Sequence, residues 1–90
     1  MKQFLFFTGT YCGPCKAIKP AIRELQEIYG DRVEFLEVDQ DEQEDMFTQY
    51  HITMTPTFIF LEDNQEYERR NGNIGRYELE KIFRRFCDDD

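Results

Sequence analysis

The spacing of apolar positions along the chain predicts seven elements of secondary structure. Four runs have the continuous or alternating apolar pattern of strands: residues 3–7, 33–38, 57–61 and 66–70. Three stretches place apolar side chains three or four positions apart, as on one face of a helix: residues 12–29, 42–50 and 77–86. Gly30 is expected to end the first helix, and a tight turn joins the last two strands.

The order of these elements, β-α-β-α-β-β-α, predicts an α/β fold. We expect one domain over residues 1–90, in which a central four-stranded mixed sheet lies between flanking helices as a three-layer sandwich. Right-handed crossovers make the first two strands parallel neighbours. The loop at residues 8–11 then lies at the carboxyl end of the first strand, where open α/β sheets place their sites.

Composition and charge exclude several classes of function. The 19 acidic and 11 basic residues give a net charge of −8, which repels nucleic acid and anionic membranes, so neither is an expected partner. The apolar run near the start covers only residues 4–7, too few for a signal peptide or a membrane span. Three cysteines, an odd number with two in a CxxC motif, are typical of a reducing compartment. We therefore expect a cytoplasmic protein.

The pair Cys12 and Cys15 has the spacing that thiol–disulfide exchange requires. Exchange needs a thiolate that attacks and a second thiol that resolves the mixed disulfide. Cys12 lies at the predicted helix start, where unpaired N–H groups and the helix dipole favour a thiolate. Cys15 lies one turn further along, on the apolar face, where it is shielded. We assign attack to Cys12 and resolution to Cys15, with Gly13 and Pro14 as a stiff spacer.

The segment Tyr-Cys-Gly-Pro-Cys-Lys, which begins at Tyr11, resembles the active site of the thioredoxin family, where Trp usually occupies the position of Tyr11. Pro20, Thr55-Pro56 and Gly72 match that family at matched spacings, so the likeness covers nearly the whole chain. It implies a thioredoxin-like fold and a cis peptide bond before Pro56. It also implies that four residues border the substrate groove: Tyr11, Thr55, Pro56 and Gly72.

The same resemblance implies a function. A thioredoxin-like chain is expected to be a thiol–disulfide oxidoreductase that reduces the disulfides of protein substrates. A flavoenzyme similar to thioredoxin reductase is expected to regenerate it. Its redox group would be the disulfide between Cys12 and Cys15, with no other cofactor and no metal, and the chain is expected to act as a monomer.

The chain departs from the family pattern at the floor of the site. Thioredoxins begin with an extra strand and helix that are missing from this sequence, which leaves a core like that of glutaredoxins. Phe6 stands where the family has a buried aspartate, and Phe35 stands where it has the partner lysine. If the two rings pack together beneath the cysteines, the floor of the site is apolar. Glu37, on the face of Phe35, is then the nearest candidate to accept the proton of Cys15.

Several other residues have a functional and a structural interpretation. His51 and Cys87 could complete a zinc site with the CxxC pair, but their spacing matches no usual zinc motif. We expect His51 to lie at a helix end and Cys87 to be half-buried. Lys16, Lys19 and Arg23 share a helical face that could guide partners, and we interpret it as a solvated face. The acidic residues 88–90 are expected to form a frayed tail.

Two alternative functions stay open. A glutaredoxin would use glutathione, but the spacer here is Gly-Pro rather than Pro-Tyr, and an acidic chain is poorly suited to an anionic tripeptide. An accessory module would bind a larger enzyme without any redox chemistry. An intact CxxC motif neither requires nor excludes that role, so replacing both cysteines by serine is what separates it from an oxidoreductase.

Overall fold

The computed structural model describes residues 1–88 and contains the predicted elements in the predicted order. The strands are β1 (Lys2–Thr8), β2 (Val33–Asp39), β3 (Thr57–Glu62) and β4 (Gln65–Asn71). The helices are α1 (Gly13–Tyr29), α2 (Glu44–Gln49) and α3 (Arg76–Phe86). Pro20 lies inside α1, on its exposed side, and the helix continues past it to Tyr29.

Helix α2 is shorter than the predicted range of residues 42–50. The backbone N–H groups of Glu42 and Gln43 both donate to the carbonyl of Asp39, at 3.2 and 2.8 Å. These bonds close a turn at the end of β2, so the helix begins only at Glu44. The acidic first turn that favoured a helix here is present, because Glu44 and Asp45 lie at its amino end.

The four strands form one mixed sheet in the order β2-β1-β3-β4. Strands β1 and β2 are parallel, whereas β1 with β3 and β3 with β4 are antiparallel. The central strands β1 and β3 are almost wholly buried, while β4 is exposed or half-buried along its length. Because β1 and β2 are parallel, their carboxyl ends lie side by side. The CxxC segment begins just after the end of β1.

Helices cover both faces of this sheet, because successive side chains of a strand point to opposite sides. The core beneath α1 and α3 contains the strand residues Phe4, Phe6, Phe58 and Phe60. The core beneath α2 contains the strand residues Leu5, Phe7, Ile59 and Leu61. The predicted α/β sandwich with helices on both faces of a four-stranded mixed sheet is confirmed.

Residues 1–88 bear on two further expectations. Each helix in this part of the chain is too short or too polar to cross a membrane. Asp88 is exposed, and Asp89 and Asp90, the rest of the predicted acidic tail, lie outside the described residues.

Candidate redox site

Cys12 and Cys15 form a disulfide at the amino end of α1, with an S–S distance of 2.08 Å and a Cα–Cα distance of 5.2 Å. Cys12 is the N-cap residue, with extended backbone angles, and its Sγ accepts a hydrogen bond from the N–H of Cys15 at 3.2 Å. Pro14 lies in the first turn, where a missing N–H costs little. No acidic residue lies in that turn, so the positive end of the helix dipole acts on Cys12 without an opposing charge from the turn itself.

The two sulfurs differ in their access to solvent. Cys15 is completely buried, Cys12 is 7% exposed, and the neighbouring Tyr11 is 100% exposed. Cys15 points inward because it begins the apolar face of α1, which continues through Ile18 and Leu25. Cys12 is therefore the more accessible cysteine of the pair. This is the asymmetry that an attacking and a resolving cysteine require.

The loop before β3 contributes Thr55 and Pro56, joined by a cis peptide bond. The N–H of Gly72 donates to the carbonyl of Pro56 at 2.7 Å, which joins the end of β4 to this loop. Gly72 has a φ of 86°, a left-handed conformation that glycine adopts at little cost. A Cβ at Gly9 would lie 3.5 Å from Thr55 Oγ1, so the loop also adjoins the turn that leads to Cys12. The structure thus places Thr55, Pro56 and Gly72 next to one another, and the role of these residues and of Tyr11 in binding substrate stays a prediction.

A cavity of about 270 Å³ lies beside this loop, on the side of α2. Its lining residues are Gln40, Phe47, Ile52, Thr53, Met54 and Thr55. Met54 is half exposed, and its Cε would lie 3.7 Å from a Cβ added at Gly72. Met54 therefore lies between Gly72 and this recess.

Phe6 and Phe35 stack on different rings, and both side chains line the same cavity. Phe6 stacks on Phe58 with ring centroids 5.6 Å apart, and Phe35 stacks on Phe83 at 5.3 Å. The parallel register explains the difference, because it places Phe35 opposite Phe4, with the two ring centroids 5.2 Å apart. Phe6 is 2% exposed and belongs to the same apolar cluster as both cysteines, so the floor of the site is apolar.

Glu37 lies opposite Phe6 in the β1–β2 register and pairs with Lys19 of α1, at an N–O distance of 3.4 Å. Its side chain is 53% exposed. Lys19 and Glu37 border a cavity of about 320 Å³ between α1 and β2. Its lining also includes Phe6, Phe35 and Arg23. The transfer of a proton from Cys15 to Glu37 stays a prediction. The ion pair of Lys19 agrees with a solvated basic face on α1.

His51 ends α2, as expected. It has a φ of 54°. The N–H of His51 donates to the carbonyl of Thr48 at 3.2 Å, and the N–H of Ile52 donates to the carbonyl of Phe47 at 2.8 Å. This pair of bonds is the Schellman arrangement, in which the residue after the C-cap is left-handed.

Cys87 is half-buried, as expected, and it is the C-cap of α3. It lies beside Met1, Lys2 and Arg32, which belong to the amino end of β1 and the loop before β2. Cys12 follows the opposite end of β1. Within residues 1–88, no three histidine, cysteine or acidic side chains are grouped as metal ligands. The zinc interpretation has no support in this part of the chain.

One contact of the site was missed in the sequence. The hydroxyl of Thr10 donates to Oδ2 of Asp41 at 2.6 Å, across 31 residues of chain. Thr10 lies two positions before Cys12, and Asp41 lies just after β2. The signal that could have found this pair is topological, because the carboxyl ends of parallel neighbours β1 and β2 meet at one edge of the sheet.

A disulfide between two cysteines at the start of a helix, directly after the first strand of such a sheet, defines a thioredoxin-fold redox protein. The sequence model of the thioredoxin family matches residues 2–85. The chain therefore belongs to the thioredoxin family.

Individual relatives agree with this assignment. Thioredoxin-1 of Caenorhabditis elegans is 43% identical over 70 residues, which are 78% of this chain and 60% of that protein. Thioredoxin-T of Drosophila melanogaster is 42% identical over 62 residues, 69% of this chain and 40% of the relative. The chain spans about half the length of such curated relatives.

Solved structures agree as well. The oxidized form of mitochondrial thioredoxin 3 from Saccharomyces cerevisiae has a TM-score of 0.84 at 33% identity, over 93% of this chain and 77% of the other. The germline-specific thioredoxin Deadhead of Drosophila has a TM-score of 0.87 at 27% identity, over 93% and 79%. The similarity in fold extends over nearly all of this chain.

Proposed function

We propose that this protein is a dithiol reductant of protein disulfides. The observation that carries the proposal is the Cys12–Cys15 disulfide itself, in which Cys12 keeps 7% exposure next to the fully exposed Tyr11 while Cys15 is fully buried. Membership of the thioredoxin family supports it. A disulfide with a purely structural role does not require that the cysteine at the start of the helix be more exposed than its partner.

The reaction runs in two exchanges, from the reduced dithiol. The Cys12 thiolate attacks one sulfur of the substrate disulfide, and the other substrate sulfur leaves as a thiolate that takes a proton from solvent. Cys15 then loses its proton and attacks Cys12 Sγ, which releases the second substrate thiolate. Two electrons pass to the substrate, and the Cys12–Cys15 disulfide remains. Glu37, or water in the adjacent cavity, accepts the proton of Cys15.

The substrate lies across the groove bordered by Tyr11, Thr55, Pro56 and Gly72. Tyr11 is fully exposed and Gly72 has no side chain, so this surface is open to an extended segment of a partner protein. The recess beyond Met54 accepts a side chain next to the substrate cysteine. The spacer residues Gly13 and Pro14 are exposed, so the partner contacts them as well.

Electrons come from a flavoenzyme similar to thioredoxin reductase, which reduces the Cys12–Cys15 disulfide after each turnover. We place the protein in the cytoplasm, since two of its three cysteines form the redox pair and a reducing compartment keeps that pair active. We propose that it acts as a monomer, because each chain carries both cysteines and all four groove residues.

Reduction of insulin disulfides tests this proposal. The protein is supplied with NADPH and thioredoxin reductase in one reaction, and with glutathione as sole reductant in another. Precipitation of the insulin B chain in the first reaction alone supports a thioredoxin. Turnover with glutathione alone would instead make it a glutaredoxin. Partner activity that survives replacement of both cysteines by serine would make it an accessory subunit.

A further inference from the structure

The turn that carries the attacking cysteine is joined to the loop after β2 by one side-chain hydrogen bond. Thr10 Oγ1 donates to Asp41 Oδ2 at 2.6 Å. Thr10 belongs to the turn between β1 and Cys12, and Cys12 is the N-cap of α1. A constraint on Thr10 is therefore a constraint on the backbone only two residues from the reactive sulfur.

Asp41 is itself held in place from its own side of the contact. Its N–H donates to Oδ1 of Asp39 at 2.8 Å, and the N–H of the preceding Gln40 donates to the carbonyl of Thr8 at 3.0 Å. Asp39 ends β2, and Thr8 ends β1. The Asp41 carboxylate is thus fixed relative to the sheet. Its hydrogen bond from Thr10 therefore holds the turn before Cys12 in a fixed position relative to the sheet.

We propose that Thr10 and Asp41 are a positioning pair that sets the reactivity of Cys12. The proposal rests on the proposed function, because it concerns how the attacking sulfur is held. In the reduced protein, a Cys12 thiolate is stabilised while it faces the N–H groups of the first turn of α1, among them the Cys15 N–H that donates to Cys12 Sγ in the disulfide. Releasing Thr10 lets the turn move, so Cys12 spends less time in that geometry.

The charge of Asp41 and its hydrogen bond act on Cys12 in opposite directions. A carboxylate near the site opposes a thiolate, so losing the charge alone makes Cys12 more reactive. Losing the hydrogen bond makes Cys12 less reactive. Asp41→Asn removes the charge but keeps an amide oxygen that accepts from Thr10, whereas Asp41→Ala removes both. Thr10→Val removes the donor and keeps both the shape and the charge, and Thr10→Ser restores the donor.

The experiment measures the alkylation of Cys12 by iodoacetamide in the fully reduced protein between pH 5 and 9, with peptide mass spectrometry to separate Cys12 from Cys15 and Cys87. Thr10→Val and Asp41→Ala are expected to slow alkylation at neutral pH about three- to tenfold and to move the midpoint of the profile to higher pH. Thr10→Ser and Asp41→Asn are expected to recover wild-type rates or exceed them.

Glu34→Ala is the matched control. It removes another exposed side-chain hydrogen bond, from Gln3 Nε2 at 3.0 Å, which also joins segments 31 residues apart but lies away from the cysteines. Its alkylation profile is expected to match that of the wild type. Thermal unfolding of every variant confirms that each is folded when it is assayed.

Two results would overturn the positioning role. Thr10→Val with the wild-type profile would show that the hydrogen bond does not matter, and faster alkylation of Asp41→Ala would show that only the charge acts. The proposed function fails separately, if wild-type Cys12 is alkylated normally but insulin is not reduced. The alkylation data therefore decide the role of Thr10 and Asp41 whatever the natural substrate is.

Discussion

Phe6 stacks on Phe58 directly across β1 and β3, with ring centroids 5.6 Å apart and ring planes 8° from parallel. Both rings are buried in the cluster that includes Cys12 and Cys15. The family's buried acid at this position is thus replaced by one half of an aromatic stack. Phe6 contributes no ionisable group to the floor of the site, and Lys19 and Arg23 line the cavity beside it.

Phe6→Asp is therefore expected to destabilise the protein severely at neutral pH. Truncating a buried ring costs about 3 to 5 kcal/mol, and the desolvated carboxyl adds to that cost when it ionises. Burial raises the pKa of the new carboxyl above its unfolded value of about 3.9, so the folded state binds more protons and stability rises as the pH falls towards that value. Urea denaturation at pH 7 and pH 5 measures both effects.

Phe6→Leu is the control for the lost ring, since it keeps an apolar side chain and should show no such pH dependence between pH 5 and 7. A loss of less than about 1 kcal/mol in Phe6→Asp would contradict the burial of Phe6. An equal loss at both pH values would contradict ionisation of the buried carboxyl.

Single cysteine variants separate the two redox roles. Cys15→Ser leaves the accessible Cys12 able to attack but removes the resolving thiol, so substrates are expected to accumulate as long-lived mixed disulfides. Cys12→Ser is expected to trap nothing, because Cys15 is fully buried. Non-reducing gels of each variant after incubation with insulin show the adducts. Adducts on Cys12→Ser would reverse the assignment of the two roles. Adducts on neither variant would contradict both roles.

His51→Gly is expected to stabilise the protein by about 0.5 to 1 kcal/mol, because a left-handed φ of 54° strains a residue with a Cβ and suits glycine. Gln49→Gly, two residues earlier and still within α2, should destabilise by a similar amount, since glycine there only weakens the helix. Midpoints of urea denaturation report both changes. Equal effects of the two substitutions would argue against the Schellman end of α2.

Gly72→Ala is expected to cost about 1 to 2 kcal/mol, through its backbone rather than through a clash. The φ of 86° is unfavourable for alanine, while the nearest atom to the new Cβ, Met54 Cε, lies at an ordinary contact distance of 3.7 Å. Gly13→Ala is the control for stability, since it lies in the first turn of α1 with nothing within 4 Å of its Cβ position. Equal stability of the two variants would contradict the left-handed conformation of Gly72.

Much of this fold was predictable because its signals are local. The apolar run of residues 4–7, the helical face from Cys15 to Tyr29, and the CxxC motif at the helix start each depend on residues close in sequence. The element order and the handedness of crossovers then determined which strands are parallel. Local periodicity placed Cys15 on the inward face, which its complete burial bears out.

Only the tertiary structure decided which side chains meet across the sheet. Strand periodicity puts Phe6 and Phe35 on the same face, but the register pairs Phe35 with Phe4 and Phe6 with Glu37, so the two rings have separate partners. The start of α2 was likewise set by backbone bonds to Asp39 that no propensity reveals. The bond from Thr10 to Asp41 joins loops 31 residues apart. Such contacts depend on the register and on the approach of distant segments, and a one-dimensional pattern contains neither.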